Sequence, residues 1–417
     1  MRAAAAIRAL RFRTGGQRSA GRSADGAATV VVVLPASYTG RGFAESCVQI
    51  CQHLGRGDVR VILVLARARA AIDAEVLVVQ ALPAPLRMLP WRMVTGLSWF
   101  MEHRLHAVLR GLDPATTVVY FWPTPSARVV REVGRRGFLT VREMINSPCA
   151  TARETLDEAY RRLGVPPAHG IGPARAEAET DELRCYDHVF AANPEVETAL
   201  ARIGVPPARI LPTSFGWSPS WFRTDVAEPP RASRPGRPDS AGVRVLFVGL
   251  VNVRKGVPEL LEAWRSAGLA GELLLAGALE PALEERLAEA VGTGSVRYLG
   301  FVDDVAALYR SCDVFVFPSL EEGGPQVTYE AAAFGLPIIA TPMGAARLVE
   351  DGVSGLVVPP ADPAALAAAL RALAADPDGR RRMGEEARRR AAQFEYRTVG
   401  EQRAGLLLQA LRRRTDL

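Results

Sequence analysis

The sequence predicts an α/β protein made of two doubly wound domains facing across a cleft, and three observations carry that prediction. Short apolar runs that read as buried strands recur with helical patterns between them. A proline-rich stretch without apolar periodicity divides the chain. Beyond it the alternation of strand and helix begins again. At 417 residues there is room for two or three domains, and 48% hydrophobic with 23% charged residues is an ordinary globular composition that supplies a core to each half.

Residues 1–26 form a basic tail. Arg2, Arg8, Arg11, Arg13, Arg18 and Arg22 all precede the first acid, Asp25, and these six equal the net charge of +6 (51 basic minus 45 acidic residues). The body is therefore near neutral, which disfavours nucleic acid as a partner. The tail lacks the continuous apolar segment of a secretory signal and is expected to be disordered. No apolar run approaches the roughly 18 residues that a membrane span needs.

The first domain is expected over residues 27–224. Val30–Leu34 reads as a fully buried strand, followed by a helix from about residue 44 to 54. Further strands are expected at Val59–Leu65, Val76–Val79, Val118–Phe121, Phe138–Val141 and His188–Ala191. Gly40-Arg41-Gly42 follows the first strand, where such folds bring bare backbone against ligand phosphates or sugars. It does not extend to GxGxxG, so a nicotinamide or flavin cofactor is disfavoured. Residues 86–110 combine Trp91, Trp99, Phe100 and three methionines with arginines, a composition that suits either a membrane interface or a helix packed on its own sheet. The second reading is the one taken. His103 and His106 lack the companions of a metal site. The five cysteines are scattered without a CxxC, which fits a reducing compartment, and Cys47 and Cys51 share a helix face as apolar packing.

Residues 225–242, with four prolines, form the linker. The second domain, 243–395, repeats the pattern with strands at Val243–Val248, Glu272–Ala276, Val296–Tyr298, Val314–Phe317 and Pro337–Ala340. Its strand Val314–Phe317 breaks into Glu322-Gly323-Gly324-Pro325, with Pro325 as the expected first residue of a helix running to Gly335. A helix opening beyond a strand end suits a phosphate. Glu330 lies five residues past Pro325, about 7 Å along the axis at ~1.5 Å per residue, so it suits a ribose and Glu322 a sugar hydroxyl. On spacing alone, a helix with an N-terminal acid and one solvated Glu is the commoner thing.

Of the 51 basic residues only Lys255 is lysine. Either one lysine survived by chance or this position needs a compact ammonium. With Arg254 and the amides of Gly323 and Gly324 it could meet the charge of a departing pyrophosphate without a metal. Asp376-Pro-Asp378, the one DxD triplet, reads as a helix stop rather than a metal site.

Residues 243–394 resemble the donor half of glycosyltransferase family 4, the retaining group with the GT-B fold of two Rossmann-like domains. The matching residues are Val248–Gly256, Tyr298–Asp303, Cys312–Ser319, the Glu322-x7-Glu330 pair, Gly335–Thr341 and Gly344 through Glu350 to Pro359. The first half resembles the family through Gly40–Phe43, Asp187–Ala192 and Pro212–Gly216, and residues 396–417 look like the helix that returns to the first domain. The resemblance implies a metal-independent retaining transferase that moves a sugar from a nucleotide-diphosphate-sugar, with no further cofactor, to a glycan, lipid-linked or small-molecule hydroxyl. Glu330 would hold the ribose, Glu322 the donor sugar, Lys255 the diphosphate and Gly300-Phe301 the base, with Gly249, Gly40 and Gly42 as backbone contacts to the donor. A cytoplasmic location, with contact at the inner face of a membrane among its partners, goes with this.

Two departures stand against the family pattern. Leu250 occupies the slot after Gly249 where many relatives carry arginine, and Arg254 is the candidate replacement. No first-domain histidine is identifiable in Arg142–Ser147, where one is expected. A pyridoxal phosphate phosphorylase of this fold would need a second lysine, and a sugar-nucleotide epimerase should not carry the Glu322, Glu330 and Lys255 arrangement. The remaining alternative is a non-catalytic sugar-nucleotide or glycan binding protein.

Overall fold

Segments of three to eleven residues build two wholly parallel sheets. The computed structural model describes residues 28–55, 59–89, 98–123, 126–222 and 242–415. The expected tail, nearly all of the expected linker, and Trp91 and the rest of 90–97 lie outside the described residues.

The first sheet comprises β1 (Ala28–Tyr38), β2 (Val59–Ala68), β3 (Leu77–Gln80), β4 (Thr117–Phe121), β5 (Leu139–Met144), β6 (His188–Ala191) and β7 (Ile210–Pro212), in the order β3-β2-β1-β4-β5-β6-β7. The second comprises β8 (Val243–Val248), β9 (Gly271–Ala276), β10 (Val296–Gly300), β11 (Val314–Phe317), β12 (Ile338–Ala340) and β13 (Gly355–Val357), in the order β10-β9-β8-β11-β12-β13. Valine-rich β1 and the apolar run of β11 are buried on both faces, as parallel strands covered by helices must be. Two strands were not anticipated. β7 and β13 have three residues each, with Pro212 in one and Gly355 in the other, too short to show a period.

Each sheet reverses its order beside its first strand: β1 pairs with β2 and β4, and β8 with β9 and β11. The loops leaving β1, β4, β8 and β11 therefore open at a switch point, the place where such folds bind ligands. The helix after β11 runs Gln326–Ala333, so Pro325 caps it instead of opening it. It stops at Gly335 in the left-handed region (φ 71), whose N–H meets the Ala332 carbonyl at 2.7 Å while Leu336 N–H meets Ala331 at 3.1 Å.

The last helix, Tyr396–Thr415, packs on Phe43–Leu54 of the first domain. Its Arg403 is fully buried there, paired with Glu143 and bonded to Tyr120 Oη at 2.7 Å and to the Ser214 carbonyl at 2.8 Å. Where the chain crosses back, Trp217 N–H donates to Phe394 O and Tyr396 N–H to Trp217 O. A side chain at Gly216 would put its Cβ 2.3 Å from the Phe394 oxygen, so that crossing needs glycine.

Candidate active site

The pairing of β8 with β11 decides which loops meet. Val245 lies beside Val314 and Leu246 beside Phe315, so the segments leaving these strands emerge together. The β8 segment ends in a tight turn, Val253–Lys255, which Asn252 caps by accepting the Lys255 N–H at 3.1 Å. Gly256 closes the turn in the left-handed region (φ 67), and a Cβ there would lie 2.1 Å from the Pro318 oxygen. From the β11 side, Leu320 N–H donates to Arg254 O at 2.9 Å. Two cations are thereby fastened beside two carboxylates.

The charges pair in adjacent couples. Lys255 Nζ contacts Glu322 Oε1, both side chains being more than nine-tenths buried, and Ser319 Oγ donates to the same oxygen at 3.0 Å. Arg254 Nη1 meets Glu321 Oε2 at 2.9 Å. Lys255 also stands 5.3 Å from the centre of the Phe317 ring. Burial holds its ammonium well below the usual range, Arg254 adds to that, and Glu321 opposes it. The sequence offered Lys255 as a compact ammonium for the diphosphate, and the structure shows it engaged by the very carboxylate expected to hold the sugar.

Gly323 and Gly324 have a reason to be glycine that the sequence did not disclose. A Cβ at Gly323 would fall 2.1 Å from the Ile145 oxygen and one at Gly324 2.2 Å from the Phe215 ring, both in the first domain. The turn is thus a seat for the opposing domain. Glu330 sits in the following helix and is tied to Tyr309, whose hydroxyl donates to its Oε2 at 2.9 Å. Burial raises the Glu330 carboxyl to about 7, with the Tyr309 bond pulling the other way.

The remaining predicted residues belong to other parts of the two domains. Gly249 follows β8 with φ 148, its α-carbon facing the Phe317 and Phe247 rings. Gly300 ends β10, two strands from β8, with φ 63 and open space around it, and Phe301 beside it is 73% exposed. Gly40 and Gly42, both left-handed, precede the Phe43–Leu54 helix in the first domain. Asp376 caps the helix Pro377–Ala391 by accepting Gly379 N–H at 2.8 Å. Among the described residues no group of three or more His, Cys, Asp or Glu is placed to hold a metal ion.

A cavity of about 440 Å³ opens between the domains beside the Arg254 turn. Arg254 is the one predicted site residue that lines it, together with Leu250, Glu280 and Glu321 from the second domain and Asn146, Tyr160 and His169 from the first. His169 was missed by the search of Arg142–Ser147. Its Nδ1 accepts Ile171 N–H at 3.1 Å, which leaves the proton on Nε2, 2.9 Å from Asp157. Both nitrogens are therefore spent on holding the loop. Arg142 is buried against Glu179 and Glu182, at 3.6 and 3.4 Å.

The two-sheet architecture, with a cleft at paired switch points and a last helix returning to the first domain, defines a GT-B protein. Solved structures share it. Sucrose-phosphate synthase from Thermosynechococcus elongatus superposes with a TM-score of 0.69 at 21% identity, over 91% of this chain and 98% of that one. Anabaena Alr3699/HepE in complex with UDP superposes with a TM-score of 0.60 at 17% identity, over 92% of this chain and all of that one. Residues 242–376 match the family model described as glycosyl transferases group 1. That match lies within the second domain. A D-inositol 3-phosphate glycosyltransferase from Salinispora arenicola is 33% identical over 257 residues, covering 56% of each chain. The match spans between 38% and 57% of the length of the curated relatives first matched.

Proposed function

We propose that this chain is a retaining glycosyltransferase that moves a sugar from a nucleoside-diphosphate sugar to a hydroxyl acceptor in the interdomain cavity. The observation that supports it is the Lys255–Glu322 couple at the β8–β11 edge, next to Arg254 and Glu321, which line that cavity. Arriving diphosphate oxygens take Lys255 from Glu322, which frees the carboxylate for the donor sugar's hydroxyls. Glu330 then meets the ribose diol and exposed Phe301 the base. UDP is the nucleotide named in the HepE complex, which makes a uridine donor the first to test.

In the transfer the acceptor oxygen bonds to the anomeric carbon as the bond from that carbon to the phosphate oxygen breaks. The departing diphosphate takes the acceptor's proton on the same face. Lys255 and Arg254 stabilise the charge that grows on it, in a site where burial strengthens each contact. The products are a glycoside and a nucleoside diphosphate. A polyol phosphate belongs among the acceptors to try, given the name of the Salinispora relative. No helix among the described residues is long and apolar enough to cross a membrane. None of the five cysteines is in a disulfide, which suits the cytoplasm, with glycan or lipid-linked acceptors reached at the membrane's inner face.

The test is thermal and calorimetric titration with UDP, GDP and ADP in EDTA, followed by a search for nucleotide release from the matching sugar nucleotide. One nucleotide should stabilise the protein by ~2.7 kcal/mol at 100 times Kd, and its sugar conjugate should be consumed once an acceptor is supplied. Binding without consumption across glycan, lipid-linked and polyol acceptors would make the chain a sugar-nucleotide binding protein. Loss of any nucleotide response would remove the donor site altogether.

A further inference from the structure

The turn that carries Arg254 and Lys255 is held by two carboxylates built to the same plan. Glu280 accepts Val253 N–H at 3.0 Å on Oε2 and the Tyr160 hydroxyl on Oε1. Glu321 accepts Arg254 Nη1 at 2.9 Å on Oε2 and Ser147 N–H at 2.8 Å on Oε1. In both, one oxygen grips the cation turn and the other grips the first domain.

We propose that Glu280 and Glu321 are positioning residues, a pair of clamps through which closure of the first domain sets the two cations for the donor diphosphate. This rests on the reading of Arg254 and Lys255 as the diphosphate-binding cations.

The second domain also supports the turn from its own backbone. Glu280 N–H donates to Val251 O at 3.0 Å and Leu320 N–H to Arg254 O at 2.9 Å, so the turn exists without the first domain. The first domain adds the second ligand of each carboxylate, and its helix Cys149–Leu163 packs against the turn. With the domains apart, water would occupy the places of Tyr160 Oη and Ser147 N. With them together, each carboxylate is fixed by donors on both sides, and hydrogen bonds to a charged acceptor are the strong ones. Burial and Glu280 hold the Tyr160 phenol above its usual range, so it stays a donor.

Because the same two carboxylates couple the turn to the first domain, closing and donor binding must favour each other equally. The turn should bind a diphosphate better when Tyr160 is engaged. A diphosphate should in return hold the domains together. Neither acid is singled out by the pattern of the loop: Glu321 precedes the expected sugar-binding Glu322, and Glu280 precedes Pro281 at the start of a helical segment.

Tyr160→Phe is the decisive variant, since the atom it removes lies in the first domain and does not touch the turn. In the full chain, amide hydrogen exchange over residues 250–258 should quicken severalfold, and UDP affinity should fall about threefold. Glu280→Ala should weaken UDP about tenfold, and Tyr160→Phe added to it should cost no more, because both act through one carboxylate. Glu280→Gln should recover most of the loss, its amide oxygen accepting Val253 N–H and its amino group facing Tyr160 Oη.

Unchanged exchange at 250–258 in Tyr160→Phe overturns the clamp, as do losses that multiply in the double variant. If the wild type binds none of UDP, GDP or ADP while Tyr160→Phe still loosens the turn, the donor reading fails and the clamp survives as a closure device.

Discussion

Two buried ion pairs of this molecule look alike and are built for opposite purposes. Arg403–Glu143 lies wholly inside the first domain, with both side chains at 0% exposure. Tyr120 and the Ser214 carbonyl bond its free edges, and the Phe190 and Phe215 rings cover the guanidinium at 5.0 and 5.4 Å. Lys255–Glu322 is nearly as buried but sits at strand ends beside a cavity, between a point-charge ammonium and a carboxylate with one further donor, Ser319. The first pair has its partners fixed, and Arg403 Nε is buried without one. The second can exchange its partners, and the choice of ion follows: a planar fork where bonds are permanent, a compact ammonium where they are not.

The largest effect expected from this contrast is on stability. Glu143→Ala should lower the urea-unfolding free energy by about 3–5 kcal/mol, because it strands a buried guanidinium. An apolar replacement of both partners should recover much of that. If Glu143→Ala cost under about 1 kcal/mol, the pair would not be the anchor of the returning helix.

The exchangeable pair should answer in binding. Lys255→Ala is expected to cut nucleotide affinity about a hundredfold, near 2.7 kcal/mol, as read by calorimetry. Urea unfolding should show a smaller loss, since Ser319 still bonds Glu322. A large stability loss with nucleotide affinity unchanged would assign Lys255 to the structural class with Arg403.

Glu330 sharpens the comparison through pH. Its carboxyl is raised from 4.5 to about 7 by burial, so between these values the folded chain holds a proton that the unfolded chain has released. Its contribution to stability therefore falls as pH rises from 4.5 to 7 and is flat above. Glu330→Gln should remove that slope and stabilise the protein at pH 8 by on the order of 1–2 kcal/mol. Nucleotide affinity should rise with pH through about 7 in the wild type, because a ribose diol needs the ionised form as acceptor, and the variant should lose that rise.

The smallest effect belongs to Phe301. It is 73% exposed, so Phe301→Ala should leave the melting temperature nearly unchanged and weaken nucleotide binding by about 1 kcal/mol, the scale of base stacking on an aromatic side chain. Equal affinity for UDP in the variant would remove Phe301 from the site.

Much of this was legible in the chain. Apolar runs of four to seven residues announced most strands because burial on both faces leaves no other composition, and Val314–Phe317 matched to the residue. The lone lysine and the Glu322-x7-Glu330 spacing marked the donor wall because chemistry restricts which residue types can serve there. Strand order, which puts β8 beside β11 and so Lys255 beside Glu322, had no local signal. Nor had the first domain's approach, which makes Gly323 and Gly324 necessary and gives Glu280, Glu321, Tyr160 and Ser147 their joint role. These residues are up to 174 positions apart, as Ser147 and Glu321 are. Composition and period report what each segment must bury, whereas partners chosen across a cleft depend on how two finished domains meet. The sequence by itself determined the elements and the chemistry available; the tertiary structure decided which charges face one another.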